Sequence, residues 1–284
     1  MRPIRIAAAI LTLAAATARA TEMPRRVVSM NLCTDQLALL LAAPGQLLSV
    51  SYLAQNSAAS VLAAEAKRLP SNHGLAEEIF LLQPDLVLAG TFTSRASVEM
   101  LKRLGFRVER FTPDYSFADL RSNILRMGQL LGRVEQAQAM ASKFDADLAA
   151  LRATASGKPP LGATYYAGGR TSGIGTLTDE IMAAAGWRNL AAELGIRGNA
   201  VLPLELLVMN QPDKVVGSAN YVGKPAVAHQ NYNHPALLAA IRSGTGVTTL
   251  PDRFTVCGGP FTTEAVRLLA AERSAPETIP GAKP

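Results

Sequence analysis

The fold is decided by residues 75–89, which read LAEEIFLLQPDLVLA. Leu75–Leu82 has the character of a short apolar helix, and Pro84 stops it because proline lacks the amide hydrogen that would continue the helix. Asp85–Ala89 is a short run that is almost wholly apolar, which is typical of a strand buried on both faces of a parallel sheet. A helix followed directly by such a strand predicts an α/β fold with a mostly parallel sheet.

The alternation of strand and helix extends on both sides of this stretch. β-Branched and apolar runs predict strands, and capping residues or a terminal glycine mark the helices between them. The predicted elements are strands at Arg26–Met30, Leu47–Ser51 and Phe106–Arg110, a helix capped by Thr34 and running through Leu41, and a helix at Ser94–Leu104.

Residues 161–273 repeat the same layout. Strands are predicted at Gly162–Tyr166, Lys214–Gly217 and Val247–Leu250, and helices at Leu177–Ala185, Pro203–Met209, Pro235–Arg242 and Thr262–Ala271. The glycine-rich loop at residues 168–176 lacks the Lys-Ser or Lys-Thr pair of a phosphate loop, so nucleotide binding is disfavoured. We expect this loop to bring backbone amides close to a ligand at the edge of a cleft.

The two blocks are separated by a helical segment. Between Ser116 and Arg152 the apolar residues recur three or four apart, with an interruption only near Gly132. This pattern fits either one rigid helix that links two lobes or two ordinary helices. The expected domains are an N-terminal lobe at residues 21–115, the helical segment at 116–158 and a C-terminal lobe at 159–273.

Composition and the chain ends indicate an exported protein. Residues 1–20 carry Arg2 and Arg5, an apolar run and the small-x-small sequence Ala18-Arg19-Ala20, so we expect a signal peptide cleaved after Ala20. Its removal takes away three of the 28 basic residues and none of the 22 acidic ones, which lowers the formal charge from +6 to +3. Such a small charge does not favour a nucleic-acid partner. The tail at residues 274–284, rich in proline and small residues, is predicted to be disordered.

Several stretches together resemble the periplasmic binding proteins that serve ABC importers of iron-siderophores and vitamin B12. These are residues 26–37 (RVVSMNLCTDQL), residues 75–87, the central helical segment and residues 204–213 (LELLVMNQPD). The resemblance covers nearly the whole mature chain. It implies two Rossmann-like lobes with mostly parallel sheets, joined by a long rigid backbone helix, in a monomeric periplasmic protein without catalysis or a cofactor. The implied partners are an ABC permease and its ATPase in the inner membrane.

The same resemblance implies a role for two glutamates. In that family one glutamate on each lobe pairs with arginines of the permease, and the matching positions here are Glu77 and Glu205. Charge-assisted contacts at two separate lobes would fix orientation without occupying the cleft. Alternatively, each glutamate simply favours the first turn of its helix, where the helix dipole stabilises a negative charge by about 0.3–1 kcal/mol.

Ligand contacts are expected from loops at the carboxyl ends of the strands, because these ends face the crevice in parallel sheets. Tyrosine rings could stack on a bulky chelate, and arginines could meet carboxylates, catecholates or phosphate. Two further residues could reach the ligand from the loop before Gly74. The candidates are Asn31, Cys33, Tyr52, Thr91, Arg95, Tyr166, Arg170 and Phe254, with Asn72 and His73 from that loop.

The preferred cargo is an iron-siderophore, because Arg95, Arg170 and the tyrosines suit an oxygen-rich chelate. A cobalamin or other corrinoid is the second choice, and chelates of a lanthanide or haem-bound iron stay open. Asn72 and His73 stand where vitamin B12 binders are expected to have a bulky aromatic residue, which argues against a corrin ring.

The only two cysteines of the chain are Cys33 and Cys257. In an oxidising compartment such a pair forms a disulfide by default. The resemblance places the two residues on different lobes, so a bond would tie the lobes together. Either the final segment crosses to the first lobe, or both thiols are free and line the cleft.

An enzyme is the least favoured class. A zinc-dependent periplasmic enzyme would need His73, His229, His234 and the cysteines as metal ligands, and their spacing fits no compact metal motif. The Gly-x-Ser-x-Gly nucleophile elbow is also missing from the sequence. A binder of a bare metal ion would depend on the same three histidines, so capture of a chelate is preferred and no metal site is assigned.

Overall fold

The computed structural model describes residues 23–218 and 227–273. The predicted signal peptide and the predicted disordered tail therefore lie outside the described residues. The remainder forms two α/β lobes, which confirms the predicted fold class. No helix in the described part of the chain is long and apolar enough to cross a lipid bilayer.

The N-terminal lobe contains a parallel sheet of five strands in the order β3-β2-β1-β4-β5. Val27, Val28 and Leu86–Ala89 are fully buried, as the apolar runs predicted. The sequence did not reveal β3 or α2. The elements are β1 Val27–Ser29, α1 Leu32–Leu41, β2 Leu47–Ser51, α2 Ala63–Ala66, β3 Ser71–Asn72, α3 Ala76–Leu81, β4 Leu86–Gly90, α4 Arg95–Arg103 and β5 Val108–Phe111.

The first helix begins earlier than predicted. Asn31, rather than Thr34, is the N-cap of α1, and its Oδ1 accepts a hydrogen bond from the Cys33 amide at 3.0 Å. The Thr34 hydroxyl lies within the first turn and donates to the Asn31 carbonyl at 2.9 Å. The predicted cap was wrong because asparagine and threonine are both good capping residues, and the extended backbone of Asn31 decides between them.

The central segment consists of two helices. They are α5 Phe117–Leu131 and α6 Val134–Ala153, separated by Gly132 in the left-handed conformation at φ 69°. The 20 residues of α6 extend over about 30 Å. This helix begins beside Gln46 of the N-terminal lobe and ends beside Arg273 of the C-terminal lobe. The alternative of two helices is therefore correct, and the second of them links the lobes.

The C-terminal lobe has a parallel sheet in the order β11-β10-β6-β8 and a small antiparallel pair, β7 with β9. The strands β7, β8 and β9 and the helix α8 were not predicted. The elements are β6 Leu161–Thr164, β7 Arg170–Ser172, α7 Leu177–Ala184, β8 Arg188–Asn189, α8 Leu190–Glu193, β9 Asn199–Val201, α9 Leu204–Met209, β10 Lys214–Ser218, α10 Pro235–Arg242, β11 Gly246–Leu250 and α11 Thr262–Glu272.

One apolar core runs through both lobes. It joins Leu88 of β4, Phe144 of α6 and Leu269 of α11 in a single cluster of buried side chains. Trp187 belongs to the same cluster, and its indole nitrogen donates to the Leu269 carbonyl at 2.8 Å. Interiors of this kind are close-packed. A large change in the angle between the lobes would therefore require this cluster to repack.

A structural repeat underlies the similarity between residues 75–89 and 204–217. In each lobe a short helix, α3 or α9, ends before a glutamine with positive φ, which is 45° at Gln83 and 43° at Gln211. A proline and an aspartate follow, and then a buried strand. The Asp85 carboxylate accepts hydrogen bonds from the backbone amides of residues 25 and 26, and the Asp213 carboxylate accepts one from the amide of residue 161. The same sequence pattern therefore anchors the helix-to-strand turn in both lobes.

Candidate ligand-binding cleft

A cavity of about 450 Å³ lies where the two lobes meet. The N-terminal lobe and the linker after β5 contribute one wall, and the C-terminal lobe contributes the floor and the opposite wall. Most of the lining follows the carboxyl end of a strand, as expected for a parallel sheet. The lining includes Phe92, Asp114, Tyr115, Tyr166, Arg170 and Ser172.

The floor of the cavity is built from hydroxyl groups. The Thr164 and Thr171 hydroxyls share a hydrogen bond of 2.8 Å, and the Thr164 oxygen also accepts from the Ser172 amide at 3.0 Å. The Ser172 hydroxyl in turn donates to Asn199 Oδ1 at 2.9 Å. These hydrogen bonds hold the buried hydroxyls in place within the lobe, so the floor is formed before any ligand arrives.

Tyr166 stands at the edge of this floor. Burial raises the pKa of its phenol to about 12, although hydrogen bonds with Ser172 and Thr178 act in the opposite direction. The phenol therefore stays protonated at neutral pH. Arg170 is exposed at the mouth of the cavity and donates to the Asn199 carbonyl at 3.2 Å. The predicted loop at residues 168–176 is not continuous, because Arg170–Ser172 form β7. The chain turns before this strand through Gly168 and Gly169, both at positive φ.

The wall formed by the N-terminal lobe and the linker after β5 is aromatic. Phe92 follows β4 and is 81% exposed, and Tyr115 follows β5 and is 52% exposed. The residues predicted from the sequence after β4 were Thr91 and Arg95, and none was predicted after β5. The rule that selected Thr91 could have found both aromatic residues, because each follows a strand end by only a few residues.

Asp114 connects the wall to the C-terminal lobe. Its carboxylate accepts from Asn123 Nδ2 at 2.7 Å and from the Gly258 amide at 3.2 Å, and burial raises the pKa of this carboxyl. A Cβ atom on Gly258 would lie 2.5 Å from the carboxylate, so the contact needs glycine. The segment after β11 is in this way held against the loop after β5.

Cys33 and Cys257 form a disulfide, with their Cα atoms 5.1 Å apart. Of the two alternatives left open by the sequence, the final segment therefore crosses to the first lobe. Cys257 is buried, whereas Cys33 lies half-buried in the first turn of α1. The bond ties the lobes together next to the cavity.

A second group of ring side chains follows β2 and β3, which lie on the other side of β1 from β4 and β5 in the strand order. The rings of Tyr52 and His73 stack with their centroids 5.3 Å apart. His73 Nδ1 lies 2.9 Å from Glu78 Oε1, and the His73 amide donates to the other carboxylate oxygen at 2.6 Å. These bonds hold the pKa of the Glu78 carboxyl below its usual value. They also orient the imidazole so that Nε2 is the nitrogen directed away from the glutamate.

The remaining predicted ligand residues have mainly structural contacts. Asn72 is buried and uses its amide within the lobe, donating to the Ser29 carbonyl and the Ser49 hydroxyl at 2.9 Å each. Asn31 caps α1, as described above. The Thr91 hydroxyl donates to the Phe111 carbonyl at 3.2 Å.

Two other predicted residues lie outside the cavity lining. Arg95 is exposed in the first turn of α4. Phe254 packs against the shared core, with the Arg253 guanidinium 4.9 Å from its ring centre. The structure thus brings Tyr166 and Arg170 together in the cavity, and it places the other predicted residues around the edge or inside the lobes.

The sequence did not reveal a buried carboxyl on α1. Asp35 on α1 is fully buried, and its Oδ2 accepts a hydrogen bond from the Ser51 hydroxyl. Its Oδ1 has no hydrogen-bond partner among the described residues. Burial raises the pKa of Asp35 to about 7, against smaller opposing effects of its hydrogen bonds.

Glu77 and Glu205 occupy equivalent positions. Each is the second residue of its helix, α3 or α9, and each side chain is exposed. Among the described residues, neither carboxylate makes a hydrogen bond or an ion pair. Both are therefore accessible to a partner.

The histidines are spread over the molecule. His73 belongs to the N-terminal lobe, whereas His234 caps α10 by accepting from the Ala236 amide at 3.2 Å. His229 lies near Tyr232, with ring centres 6.1 Å apart. Within residues 23–218 and 227–273, no group of three or more histidine, cysteine or acidic residues could hold a metal ion.

Two lobes with parallel sheets, a cavity at their facing strand ends and a helix between them define a two-lobed solute-binding protein. A family model described as periplasmic binding protein matches residues 27–251, and the chain belongs to this family. Its members and structural neighbours include the binding proteins of ABC importers, so the resemblance seen in the sequence is confirmed. None of the curated proteins compared with this chain matches it.

Three solved structures illustrate the likeness. A periplasmic heme-binding protein from Pseudomonas aeruginosa is 25% identical, with a TM-score of 0.70 over 90% of this chain and 95% of that one. The periplasmic vitamin B12 binding protein BtuF of Vibrio cholerae is 20% identical, with a TM-score of 0.66 over 87% and 96%. An ABC-type Fe³⁺-hydroxamate transport protein from Saccharomonospora viridis is also 20% identical, with a TM-score of 0.66 over 89% and 94%.

Proposed function

We propose that this protein captures a ferric siderophore in the cavity between its lobes and delivers it to an ABC permease. The observation that carries the proposal is the lining of the cavity. An aromatic wall, Phe92 and Tyr115, faces a floor of hydroxyl groups with Arg170 at its mouth.

This lining suits a chelate whose iron is already saturated by the oxygen atoms of the siderophore. The protein then needs no metal ligand of its own. Aromatic surface supplies contact area, a guanidinium meets peripheral carboxylate or catecholate oxygens, and hydroxyls orient the ligand. The protonated phenol of Tyr166 offers a further hydrogen-bond donor to such oxygens.

A metal tetrapyrrole is the second candidate, favoured by the stacked pair of Tyr52 and His73. A tetrapyrrole leaves axial positions of its metal open, and histidine and tyrosine are among the side chains that fill them in haem proteins. A carboxylate bonded to one ring nitrogen, as Glu78 is to His73, is the usual outer-shell arrangement for a metal-binding histidine. Two of the three structures described above are named for heme and vitamin B12.

A titration of the mature protein tests the proposal. The panel contains ferric hydroxamate, ferric catecholate, ferric citrate, haemin and cyanocobalamin, and calorimetry is the main measurement because the chelates are coloured. We expect saturable binding of one ferric siderophore, weakened about 10- to 150-fold by Arg170→Ala, since a charge-assisted contact contributes about 1.5–3 kcal/mol. Arg188→Ala is the matched control, because Arg188 is exposed but pairs with Glu193 at 3.2 Å outside the cavity.

The variant His73→Ala separates the two candidates. Siderophore binding should survive this change, whereas tetrapyrrole binding through the imidazole would be lost together with its absorption signature. Binding of haemin alone, sensitive to His73→Ala and insensitive to Arg170→Ala, would replace the first candidate by the second. If the folded protein bound no ligand of the panel, both candidate cargoes would be contradicted.

We also propose that Glu77 and Glu205 pair with arginines of the permease. Their equal positions on α3 and α9, their exposure and their lack of a partner among the described residues support this role. Glu77→Gln with Glu205→Gln should abolish uptake while ligand affinity stays unchanged. Glu135→Gln, an exposed glutamate in the first turn of α6, is the control.

The proposed location is the periplasm, reached through the signal peptide. Mass spectrometry of the protein recovered from the periplasm should give a chain that begins at Thr21. A chain that begins at Met1 would contradict cleavage.

A further inference from the structure

Each of the two helices that carry a proposed docking glutamate also exposes a large apolar side chain four residues later. On α3 this is Leu81, which is 80% exposed, and on α9 it is Met209, which is 77% exposed. Side chains four residues apart lie on the same face of a helix. Each lobe therefore presents a carboxylate and an apolar side chain side by side.

The two helices α3 and α9 are also anchored to their lobes by equivalent residues. Ile79 and Leu207, two residues after each glutamate, are buried and anchor the opposite face. A glutamine at positive φ then ends both helices at the same distance, Gln83 in one lobe and Gln211 in the other. The directions of the exposed pairs are thus fixed by equivalent contacts.

Further apolar side chains are exposed on the same helices, at the residue before α3 and on α10, which packs against α9. Leu75 and Phe80 accompany Leu81, and Leu206 and Leu238 accompany Met209, all of them partly exposed. Exposed large apolar groups that recur in one pattern mark an interaction surface more reliably than scattered ones. Leu81 and Met209 do not belong to the buried apolar clusters of the described residues.

We propose that Leu81 and Met209 are apolar contact residues for the permease, each of which enters an apolar pocket next to the arginine that pairs with Glu77 or Glu205. This inference rests on the proposed docking role of the two glutamates. The same pair, a glutamate and an apolar side chain four residues later, occurs on both lobes. It therefore fits a partner with two equivalent sites, each with a basic group beside an apolar pocket. A partner with a single such site would leave one lobe unpaired.

The carboxylates and the apolar side chains would contribute to docking in different ways. Exposed carboxylates steer the encounter and set the orientation, but they contribute modestly to the free energy of binding in water. A leucine or methionine that leaves water in a pocket contributes more, because the free energy gained grows with the apolar area removed from water. Removal of either apolar side chain should therefore mainly accelerate dissociation.

Cross-linking in living cells tests the inference directly. A photoreactive phenylalanine analogue is placed at position 81, 209 or 134 in the full chain, and cross-linked proteins are identified by mass spectrometry. Val134, an exposed apolar residue in the first turn of α6, is the control position. We expect positions 81 and 209 to cross-link to the same integral-membrane permease subunit, and position 134 to give no such product.

Binding strength supplies the second readout. Leu81→Ser and Met209→Ser should each weaken attachment of the labelled protein to spheroplasts about tenfold, whereas Val134→Ser should not. Denaturant midpoints near that of the unmodified protein confirm that all three variants fold. Calorimetry with the siderophore panel should give unchanged affinities, so a failure of ligand capture is distinguishable from a failure of docking.

Several results would overturn the inference. Cross-linking from one lobe alone, from neither, or from all three positions equally would do so. Cross-links to a second copy of this chain would assign the apolar surface to self-association instead. Unchanged attachment of the Leu81→Ser and Met209→Ser variants would show that the glutamates act without apolar contacts.

Discussion

Replacement of the buried Asp35 by asparagine should remove a large part of the pH dependence of stability. The carboxyl of Asp35 is fully buried, and its Oδ1 has no hydrogen-bond partner among the described residues. An ionised carboxylate is therefore poorly solvated there, and the folded protein favours the neutral acid. Asparagine has nearly the same shape and stays neutral at every pH, so it isolates the effect of ionisation.

The size of the effect follows from the two pKa values. Folding raises the pKa of Asp35 from its usual 3.8 to about 7. The folded state thus binds the proton more tightly than the unfolded state does, so protonation of Asp35 stabilises the fold. This stabilisation is complete below pH 3.8 and is lost as the pH rises through about 7. Each pH unit between these values changes the free energy of unfolding by about 1.4 kcal/mol, which gives about 4 kcal/mol over the whole window.

The assay is urea unfolding of the wild-type protein and of Asp35→Asn in steps from pH 4 to pH 8. We expect the asparagine variant to gain stability relative to the wild type as the pH rises, by about 4 kcal/mol across the range. Asp147→Asn is the control, because Asp147 is partly exposed and forms a surface ion pair with Lys143, so its difference should stay within about 1 kcal/mol. A difference between wild type and Asp35→Asn that does not vary with pH would refute the reasoning.

Three further predictions concern the stability contributed by the disulfide, by the two glutamines with positive φ and by the core shared between the lobes. Cys33→Ser with Cys257→Ser should lower the free energy of unfolding in guanidinium by about 5 kcal/mol, from the chain-entropy relation for a separation of 224 residues; an unchanged midpoint would contradict this. Gln211→Gly should raise the free energy of unfolding, measured by thermal unfolding, by about 0.5–1 kcal/mol, because glycine adopts positive φ without strain. Gln83→Gly should gain less, because it loses the hydrogen bond from the Gln83 side-chain amide to the Phe80 carbonyl. Phe144→Ala should cost about 3–5 kcal/mol within a single calorimetric transition, and separate lobe transitions would argue against a shared core.

Much of the fold could be predicted because the decisive signals are local. Pro84 and the buried run after Asp85 define a helix and a strand without reference to the rest of the chain, and residues 204–217 repeat them. The interruption at Gly132 was also visible, but the sequence alone did not show that it separates two helices. The N-cap of α1 was missed because Asn31 and Thr34 have similar capping propensity, and only the backbone conformation distinguishes them.

The site was less predictable because it depends on contacts between the lobes. The strand-end rule found Tyr166 and Arg170, since each follows a strand of the predicted sheet. It could not tell that the Asn72 amide is used inside the lobe, which depends on how β2 and β3 pair. The burial of Asp35 is equally invisible in a sequence where it stands in a polar run after Thr34.

The bond between Cys33 and Cys257 also bears on how the chain matures. A chain with two cysteines has one possible intramolecular disulfide, so no shuffling among wrong internal pairs can delay it. Its two halves, however, lie 224 residues apart. If the chain enters the periplasm from its N-terminus through the proposed signal peptide, the first thiol is exposed there long before the second arrives. During that interval the first thiol can react only with other molecules, and oxidation of the protein becomes one of the last steps of its biogenesis.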